Sequence, residues 1–263
     1  MNITLLLIEY FSLVDVVRCI RSVLTHWPKN SFTVRVVCNS DYPPERQAEI
    51  CREHPNVEFV FQSNRGYAGG FNAGIRGATA DYLLLLNPDS LMIDRQLTTL
   101  IDYMTQNPRV ALIGPRVEDE TGLRQPSCRR FPRWYTYVLV RSRLKNTSAG
   151  RRETRRYFME DVALETPQVV DWVSGGAMLI RAEAIAAIGG MDERYFLYME
   201  DVDLCRSAKQ RAWQVVYHPA MRVCHAGKHA SLQPGVKRVF SRFLRWHLVS
   251  IMKYFMKWKF RRD

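Results

Sequence analysis

Residues 82–89 have the sequence YLLLLNPD, an unbroken apolar run that ends in a polar turn. A short apolar run without alternation predicts a strand that is buried on both faces, as in a parallel sheet. Pro88 cannot continue a central strand, so Asp89 is expected just beyond its carboxyl end. Ligands of open α/β sheets bind at that edge, and a carboxylate beside Asn87 suits a hard divalent cation that also holds phosphate oxygens. The alternative is a simple turn that caps the next helix.

Apolar runs and helical patterns alternate around this strand. We predict strands at 3–8, 32–37, 57–61, 80–86 and 110–113, and helices at 12–25, 43–53, 69–78 and 97–104. Such alternation implies right-handed crossovers between parallel strands. The first half is therefore predicted to be a nucleotide-binding type of α/β fold.

A glycine-rich segment at residues 64–74 follows the third predicted strand. We predict a loop whose backbone N–H groups approach phosphates, with Arg65 adding charge. The alternative is that the glycines allow a helix to pack closely on the sheet. The spacing matches neither a dinucleotide-binding fingerprint nor a Walker loop. The first strand is followed by Glu9 and Tyr10 without a glycine, which argues against a dinucleotide-dependent dehydrogenase.

The composition indicates an anionic partner and a reducing environment. The formal net charge is +12, which favours nucleic acid, an acidic membrane surface or phosphorylated substrates as partners. The six cysteines are scattered without a Cys-x-x-Cys pair, so we expect reduced thiols in the cytoplasm. The first residues show no signal-peptide pattern, and no run of about 18 apolar residues predicts a membrane span.

The second half is more basic and contains a cluster of acids. Arginines dominate residues 114–168, where we expect a flexible, acceptor-side or membrane-facing insertion; nucleic-acid binding is a weaker alternative because no recognition motif accompanies the arginines. Two strands flank a glycine pair near residue 175. Three acids then open a helix that ends near residue 209, and Asp201 shares a face with Leu204 while Glu200 points elsewhere. One carboxylate could therefore face a pocket. The alternative is that the acids only complement the helix dipole at its N-terminus.

The C-terminal segment from residue 236 predicts a basic amphipathic helix. Its apolar side is expected to carry Phe240, Phe243, Leu244, His247, Leu248, Ile251, Phe255 and Trp258. Nine basic residues against one acid give this segment a net charge of about +8, which is typical of a helix that lies on anionic lipid. An ordinary packed terminal helix with a solvated face is the alternative.

Taken in order, these motifs resemble one family. They are Asn64-x-Gly66 with Gly69-Gly70-x-Asn72, Asn87-Pro88-Asp89, Asp171-Trp172-x-x-Gly175-Gly176, Glu200-Asp201-x-Asp203 and His225. The set resembles the inverting family 2 glycosyltransferases with a GT-A fold, most closely the rhamnosyltransferases of bacterial O-antigen and cell-wall assembly. The resemblance implies a GT-A domain at 1–232 and a membrane-associating helix at 233–263. Within the domain it implies a nucleotide-sugar half at 1–113, the basic insertion at 114–168 and an acceptor and catalytic half at 169–232.

The resemblance also implies a role for each motif. Asp201 would be the general base, and Asp89 with His225 would hold Mg²⁺ or Mn²⁺. The nucleotide-sugar would contact Tyr10, Asn39, Arg65, Gly69, Gly70, Asn72, Asn87 and Asp89. The acceptor side would be formed by Trp172, Gly175, Gly176 and Glu200. The expected donor is dTDP-L-rhamnose, and the expected acceptor is a polyprenyl-diphosphate-linked saccharide at the inner face of the cytoplasmic membrane.

Two positions depart from the family pattern. Cys38 stands where the family has an aspartate that contacts the nucleotide base, and Asn87 replaces an acid of the metal-binding motif. These departures leave a catalytically inactive, membrane-bound scaffold as an alternative. A nucleotidyltransferase, which would release diphosphate, is the second alternative.

Overall fold

The computed structural model describes residues 2–27, 32–225 and 236–259, with the side chains of the last helix from residue 242 onward. The strands are β1 (Ile3–Glu9), β2 (Phe32–Cys38), β3 (Val57–Phe61), β4 (Tyr82–Leu86), β5 (Ser90–Met92), β6 (Val110–Glu118), β7 (Cys128–Arg129), β8 (Gln168–Val169), β9 (Trp172–Val173), β10 (Ala177–Arg181) and β11 (Gln214–His225). The helices are α1 (Leu13–His26), α2 (Pro44–Glu53), α3 (Gly66–Ile75), α4 (Leu97–Gln106), α5 (Thr136–Arg141), α6 (Ser148–Tyr157), α7 (Ala182–Ile188), α8 (Glu200–Gln210) and α9 (Val236–Trp258).

One large sheet organises these elements. Its strand order is β3-β2-β1-β4-β10-β6-β11-β5, and β8 also pairs with β11. Strands β1 to β4, β6 and β11 share one direction, whereas β5, β8 and β10 oppose them. The prediction of a mostly parallel sheet flanked by helices is confirmed. None of the described helices is long and apolar enough to cross a bilayer.

Strand β4 is buried on both faces, as its sequence predicts. Leu83 and Leu85 join the core that includes α3, α8 and α9, while Leu84 and Leu86 join the core beneath α1 and α4. All four leucines are at most 2% exposed. The register pairs Leu86 with Leu7 of β1, so the residues that follow both strands emerge at one edge. The antiparallel β10 begins at the same edge, because Ala177 pairs with Leu86.

The predicted glycine loop at residues 64–74 is wrong, whereas the helix predicted at 69–78 is present and begins three residues earlier, at Gly66. A side chain on Gly70 would meet Ile8 Cγ2 at 2.7 Å, and one on Gly74 would meet Leu6 Cδ1 at 2.4 Å. These contacts support the alternative, in which the glycines let α3 pack closely on the sheet. The phosphate-approach role was inferred from local sequence, whereas the packing partner is a strand about 60 residues away.

The basic segment 114–168 is built from defined elements, so the expectation of a flexible insertion is wrong. Strand β6 continues to Glu118 across the proposed boundary at 113, and α5 and α6 follow. Phe131 and Tyr157 are 8% and 5% exposed and join the main core. Aromatic side chains spaced between the arginines therefore anchor this segment to the domain.

Candidate active site

Asp89 and His225 meet at the carboxyl edge of the sheet. Strand β5 pairs antiparallel with the end of β11, and this places Ser90 opposite His225. The Asp89 Oδ2 atom lies 3.3 Å from His225 Nε2, and both side chains are about 30% exposed. Their hydrogen bond raises the pKa of His225 above its usual value, although burial opposes the shift. The sequence named both residues, but only the β5–β11 pairing brings them together.

This pair fits a divalent cation with an incomplete protein ligand set. A carboxylate oxygen and an imidazole nitrogen face each other, and both are accepted ligands of Mn²⁺. No group of three or more potential ligands occurs among the residues that the structure describes. Mg²⁺ and Mn²⁺ sites of this kind take their remaining ligands from substrate phosphates and water. The two residues therefore suit an ion that arrives with a diphosphate.

Tyr67 links the metal-side turn to the glycine pair, and sequence reasoning did not identify it. Its hydroxyl donates to the Gly175 carbonyl oxygen at 2.8 Å and lies 3.2 Å from Asn87 Oδ1. Burial raises the pKa of Tyr67 well above its usual value, and the charges of Glu200, Asp201 and Asp89 raise it further. Tyr67 thus lies close enough to Glu200, Asp201 and Asp89 for all three carboxylates to affect its pKa.

Asp201 lies at the start of α8 and is oriented by two backbone donors. Its Oδ2 accepts a hydrogen bond from Gly175 N at 3.0 Å, and its Oδ1 accepts one from Val202 N at 2.8 Å. The preceding residues, Tyr198 and Met199, have positive φ angles of 68° and 70°. Left-handed non-glycine residues are strained and often occur at functional sites. Burial raises the pKa of Asp201 above its usual value, and the two N–H donors oppose this rise.

Glu200 lines the same cavity as Asp201, so the expectation that it points elsewhere is wrong. It is 6% exposed, and its Oε2 atom has no hydrogen-bond partner in the structure. Burial, and next the charge of Asp201, raise the pKa of Glu200 well above its usual value. Burial therefore disfavours the charged form of Glu200, whereas Asp201 has two backbone N–H donors that favour its charged form.

Asp203, the third acid of the cluster, has a different task. Its Oδ2 lies 2.6 Å from Lys257 Nζ, and its Oδ1 accepts hydrogen bonds from Trp258 Nε1 at 2.8 Å and Tyr195 at 3.1 Å. Lys257 also contacts Asp192 at 2.8 Å. Asp203 therefore fastens α9 to the segment that carries Asp201.

Helix α9 packs on the segment that precedes α8. The sequence predicted a separate membrane-associating helix at 233–263 and did not predict this packing. Ser250 donates to the Leu197 carbonyl at 2.9 Å, and Lys253 donates to the Arg194 carbonyl at 2.7 Å. Trp258 and His247 were assigned to a lipid-facing side, but Trp258 is 4% exposed and His247 lines the cavity beside Asp201. The apolar side chains that remain exposed are Leu244, Leu248, Val249, Met252 and Met256. Residues 233–235 and 260–263 lie outside the described residues, as do the side chains of 236–241.

A cavity of about 700 Å³ opens at this edge, and we call it the donor-side cavity because its lining includes the predicted donor residues Tyr10 and Asn39. It is lined by Ile8, Tyr10, Asn39, Asn64, Gly66, Tyr67, Phe196, Leu197, Arg242, Phe243 and Trp246. Asn39 is held in place, because its Nδ2 donates to Gly66 O at 3.1 Å and its Oδ1 accepts from Gln62 at 2.6 Å. Phe196 and Trp246 have ring centroids 4.7 Å apart. The sequence motifs did not predict that α9 forms one wall of this cavity.

Cys38 does not line this cavity. It is fully buried in the core beneath α1, and burial raises the pKa of its thiol to about 12. The buried acid nearby is Glu9, which accepts hydrogen bonds from Ser40, Tyr42 and the backbone of Ser12. Glu9 thereby joins the loops after β1 and β2. Tyr10 and Asn39 remain as predicted contacts for the nucleotide-sugar.

Three predicted donor residues have structural partners. Asn72 exchanges hydrogen bonds with Met191, and Arg65 pairs with Glu193 at 2.6 Å. Gly69 is buried in α3, and a side chain there would meet Arg65 Cβ at 2.6 Å. The contacts of Asn72 and Arg65 fix α3 against the segment before α8, and Gly69 leaves room for the Arg65 side chain. Their role in donor binding stays a prediction.

A second cavity, of about 230 Å³, lies on the acceptor side beside Asp201. Its lining includes the predicted acceptor residues Trp172 and Glu200, together with Arg129, Arg141 and His247. Gly175 and Gly176 lie at the junction: Gly175 contacts Asp201, and Asn87 N donates to Gly176 O at 2.9 Å. One glycine turn thus contacts both Asn87, which follows β4, and Asp201, at the start of α8.

Solved structures with the same fold are glycosyltransferases. The mannosyltransferase PcManGT from Pyrobaculum calidifontis, solved with GDP-Man and Mn²⁺, matches with a TM-score of 0.61 and 17% identity over 97% of this chain and 64% of that chain. A GalNAc transferase solved with UDP, GalNAc and Mn²⁺ matches with a TM-score of 0.65 and 14% identity over 88% of this chain and 45% of that chain. The expected GT-A fold is confirmed.

The family model for glycosyltransferase-like family 2 matches residues 13–248, so the chain belongs to that family. It is 27% identical to rhamnosyltransferase WbbL of Escherichia coli over 214 residues, which is 78% of this chain and 76% of that protein. It is 30% identical to N-acetylglucosaminyl-diphospho-decaprenol L-rhamnosyltransferase of Mycobacterium tuberculosis over 200 residues, which is 70% of this chain and 63% of that relative. The chain is therefore a rhamnosyltransferase-like member of the family, as its motifs predict.

Proposed function

We propose that this protein is an inverting, metal-dependent glycosyltransferase that moves L-rhamnose from dTDP-L-rhamnose to a polyprenyl-diphosphate-linked saccharide. The observation that carries the proposal is the arrangement around the glycine turn. Asp201 is held by Gly175 N, and Asn87 of the metal-side turn is held by Gly176 O. A base and a diphosphate site on opposite sides of one sugar are what a direct displacement at the anomeric carbon requires.

The reaction assigns one role to each side. The acceptor hydroxyl oxygen forms a bond to the anomeric carbon while the bond from that carbon to the diphosphate oxygen breaks, and the nucleoside diphosphate leaves. Asp201 takes the proton from the acceptor hydroxyl, since its raised pKa makes it a better base than an ordinary aspartate. A hydrolase of the two-carboxyl type would not need a phosphate site.

Asp89 and His225 are the residues that would hold Mg²⁺ or Mn²⁺. Their 3.3 Å contact and mixed oxygen and nitrogen ligands fit such an ion. When bound, a divalent cation supplies positive charge to the departing diphosphate. Tyr67 and the Gly176 backbone hold Asn87 in place beside this pair, so Asn87 contributes orientation rather than charge.

Two observations support a lipid-linked acceptor: the name of one relative and an exposed surface of α9. The mycobacterial relative carries an acceptor in its name, a sugar joined to a polyprenol through a diphosphate. On α9, Leu244, Leu248, Met252 and Met256 form an exposed stripe at four-residue spacing, 45–59% exposed. Exposed apolar residues beside basic ones on a helix bind an anionic lipid surface. We therefore propose a peripheral position on the cytoplasmic face of the membrane, with α9 docked on the domain by its other side.

Vesicle sedimentation tests the membrane surface. Leu248→Glu is expected to reduce binding to vesicles that contain phosphatidylglycerol several-fold, because it places a charge in the exposed stripe. Val14→Glu is the matched control, since Val14 is 68% exposed on α1. Equal loss with both variants, or no loss with either, contradicts the assignment of this stripe to lipid.

A transfer assay tests the activity. Purified protein is incubated with dTDP-L-rhamnose, a short-chain polyprenyl-diphosphate-linked N-acetylglucosamine and Mg²⁺ or Mn²⁺. We expect a glycosylated lipid and dTDP as products. UDP- and GDP-sugars are run in parallel to test the donor. Release of inorganic diphosphate would instead favour a nucleotidyltransferase. Absence of transfer from every donor, with no donor-induced rise in melting temperature, would favour the inactive scaffold.

A further inference from the structure

The cavity beside Asp201 contains an arginine whose charge has no acidic partner in contact. The Arg129 guanidinium carbon lies 4.7 Å from the centroid of the Trp172 ring, 5.4 Å from that of Phe158 and 5.9 Å from that of Tyr157. Its buried Nε has no hydrogen-bond partner. Among the described residues, no carboxylate lies within salt-bridge distance of Arg129. Aromatic rings orient this cation without neutralising it.

A second arginine of the same cavity, Arg141, contacts a histidine instead of a carboxylate. Arg141 Nη1 lies 2.9 Å from His247 Nδ1 and stacks near Tyr137. Burial, and next the Arg141 charge, lower the pKa of His247 to about 4, so His247 is neutral at physiological pH and accepts this hydrogen bond. The Arg141 charge therefore remains available to an anion.

The cavity also contains a buried carboxyl group, that of Glu200. The Oε2 atom of Glu200 is buried without a partner, and an unpaired buried polar group is costly unless a ligand completes it. At about 230 Å³ the cavity is smaller than the roughly 300–1,000 Å³ of sites that enclose a drug-sized molecule. It therefore suits a ligand portion of about one sugar ring with its phosphate.

We propose that Arg129 and Arg141 bind the phosphate attached to the acceptor sugar, and that Glu200 hydrogen-bonds a hydroxyl of that sugar. The ligand class is a glycosyl phosphate or diphosphate. The consequence is positional: the enzyme glycosylates the sugar joined directly to the lipid carrier, because a sugar further along a chain brings no phosphate into the cavity. This inference rests on the proposed function and names the residues that select its acceptor.

The test compares two acceptors in uncharged detergent. One is N-acetylglucosamine joined by a diphosphate to a short isoprenoid, and the other is the same sugar as an uncharged alkyl glycoside. Wild-type protein is expected to prefer the diphosphate acceptor in kcat/KM. Arg129→Met, which retains packing against the rings, is expected to reduce that preference about 10- to 100-fold, the usual range for losing a charge-assisted hydrogen bond. The KM for the donor should stay within about twofold, and kcat/KM with the alkyl glycoside should fall less than kcat/KM with the diphosphate acceptor.

Arg152→Met is the matched control, because Arg152 is an exposed arginine of α6 outside this cavity. Arg129→Lys retains the charge without the planar fork and is expected to recover part of the preference. Glu200→Leu should raise the acceptor KM with little change in kcat, and Glu200→Gln, which retains a hydrogen-bonding group, should raise it less. An unchanged preference in Arg129→Met, or an equal loss in Arg152→Met, overturns the proposal.

Calorimetry with the diphosphate acceptor separates this inference from the proposed function. Weaker binding to Arg129→Met than to wild type supports the acceptor site even if no sugar is transferred, in which case the proposed activity fails alone. Equal binding to both proteins overturns the inference even if wild type is an active transferase. Donor-induced stabilisation of Arg129→Met confirms that the variant is folded.

Discussion

The two cavities of this protein differ in size and in the chemistry of their walls, although both are bounded by α9. The donor-side cavity of about 700 Å³ presents amides and aromatic rings, including Asn39 and Trp246. The acceptor-side cavity of about 230 Å³ presents ionisable groups, including Arg129, Glu200 and Asp201. The adjacent residues Trp246 and His247 belong to different cavities. Under the proposed function, this difference means that donor recognition would depend on aromatic and amide contacts, whereas acceptor recognition and proton transfer would depend on ionisable groups.

Asp201→Asn is the variant with the largest expected effect. It retains the hydrogen-bond geometry of an acceptor oxygen but removes the base, so kcat should fall about 10²- to 10⁴-fold. Donor binding, measured as stabilisation by dTDP-L-rhamnose, should be unchanged. Loss of donor binding together with kcat would show that the two cavities are not separable in this way.

The pH dependence of the wild-type enzyme reports the same group. The folded-state pKa of Asp201 is raised, so kcat/KM should fall as pH drops through a value above the roughly 3.9 of an ordinary aspartate. Above that pH Asp201 is ionised, and kcat/KM should no longer depend on its protonation.

Asp89→Asn should remove the metal effect from the donor side alone. Chelation of wild-type protein, or this substitution, is expected to reduce activity about 100-fold and to abolish the metal-dependent part of donor stabilisation. Binding of the diphosphate acceptor, measured by calorimetry, should be retained. Donor stabilisation that is equal with and without Mn²⁺ in wild type would contradict the assignment of Asp89 and His225.

Lys257→Met tests the link that joins α9 to both cavities. It leaves Asp203 buried without its cation, so the free energy of unfolding should fall by about 3 kcal/mol. Urea denaturation measures the change, and Lys259→Met, an exposed neighbour, is the control. The pKa of the second partner, Asp192, is held well below its usual range, first by Arg194 and then by Lys257. The stability from Asp192 is therefore present above pH about 4 and is lost as pH falls further.

The smallest effect is also the sharpest test of the comparison. Trp246→Ala should raise the donor KM about 10-fold with little change in the acceptor KM, because it removes one wall of the larger cavity. His247→Ala should do the reverse. Leu248 is 59% exposed, so Leu248→Ala should change neither the donor KM nor the acceptor KM in detergent. If both neighbours affected the same substrate, the two cavities would act as one site.

The sequence predicted the strands and the sheet edge well, because these depend on local patterns. Four leucines in a row are apolar enough to identify a doubly buried strand, and Pro88 ends it whatever lies elsewhere in the chain. The prediction of the glycine loop is wrong because glycine gives the same local signal for close packing and for phosphate approach. The arginine-rich segment was expected to be flexible because charge obscures the periodicity of Tyr157 and Phe131, which anchor it.

The sequence by itself determined the α/β class and the family, and it predicted three chemical groups of the site, Asp89, Asp201 and His225. Only the tertiary structure decided how α9 is used, because Lys257 and Asp203 are more than 50 residues apart and no local pattern relates them. It also decided that Tyr67 joins the two sides of the site and that Glu200 is buried without a partner. The physical reason is that periodicity reports which side of a helix is apolar, whereas burial and ion pairing depend on what the fold places against that side.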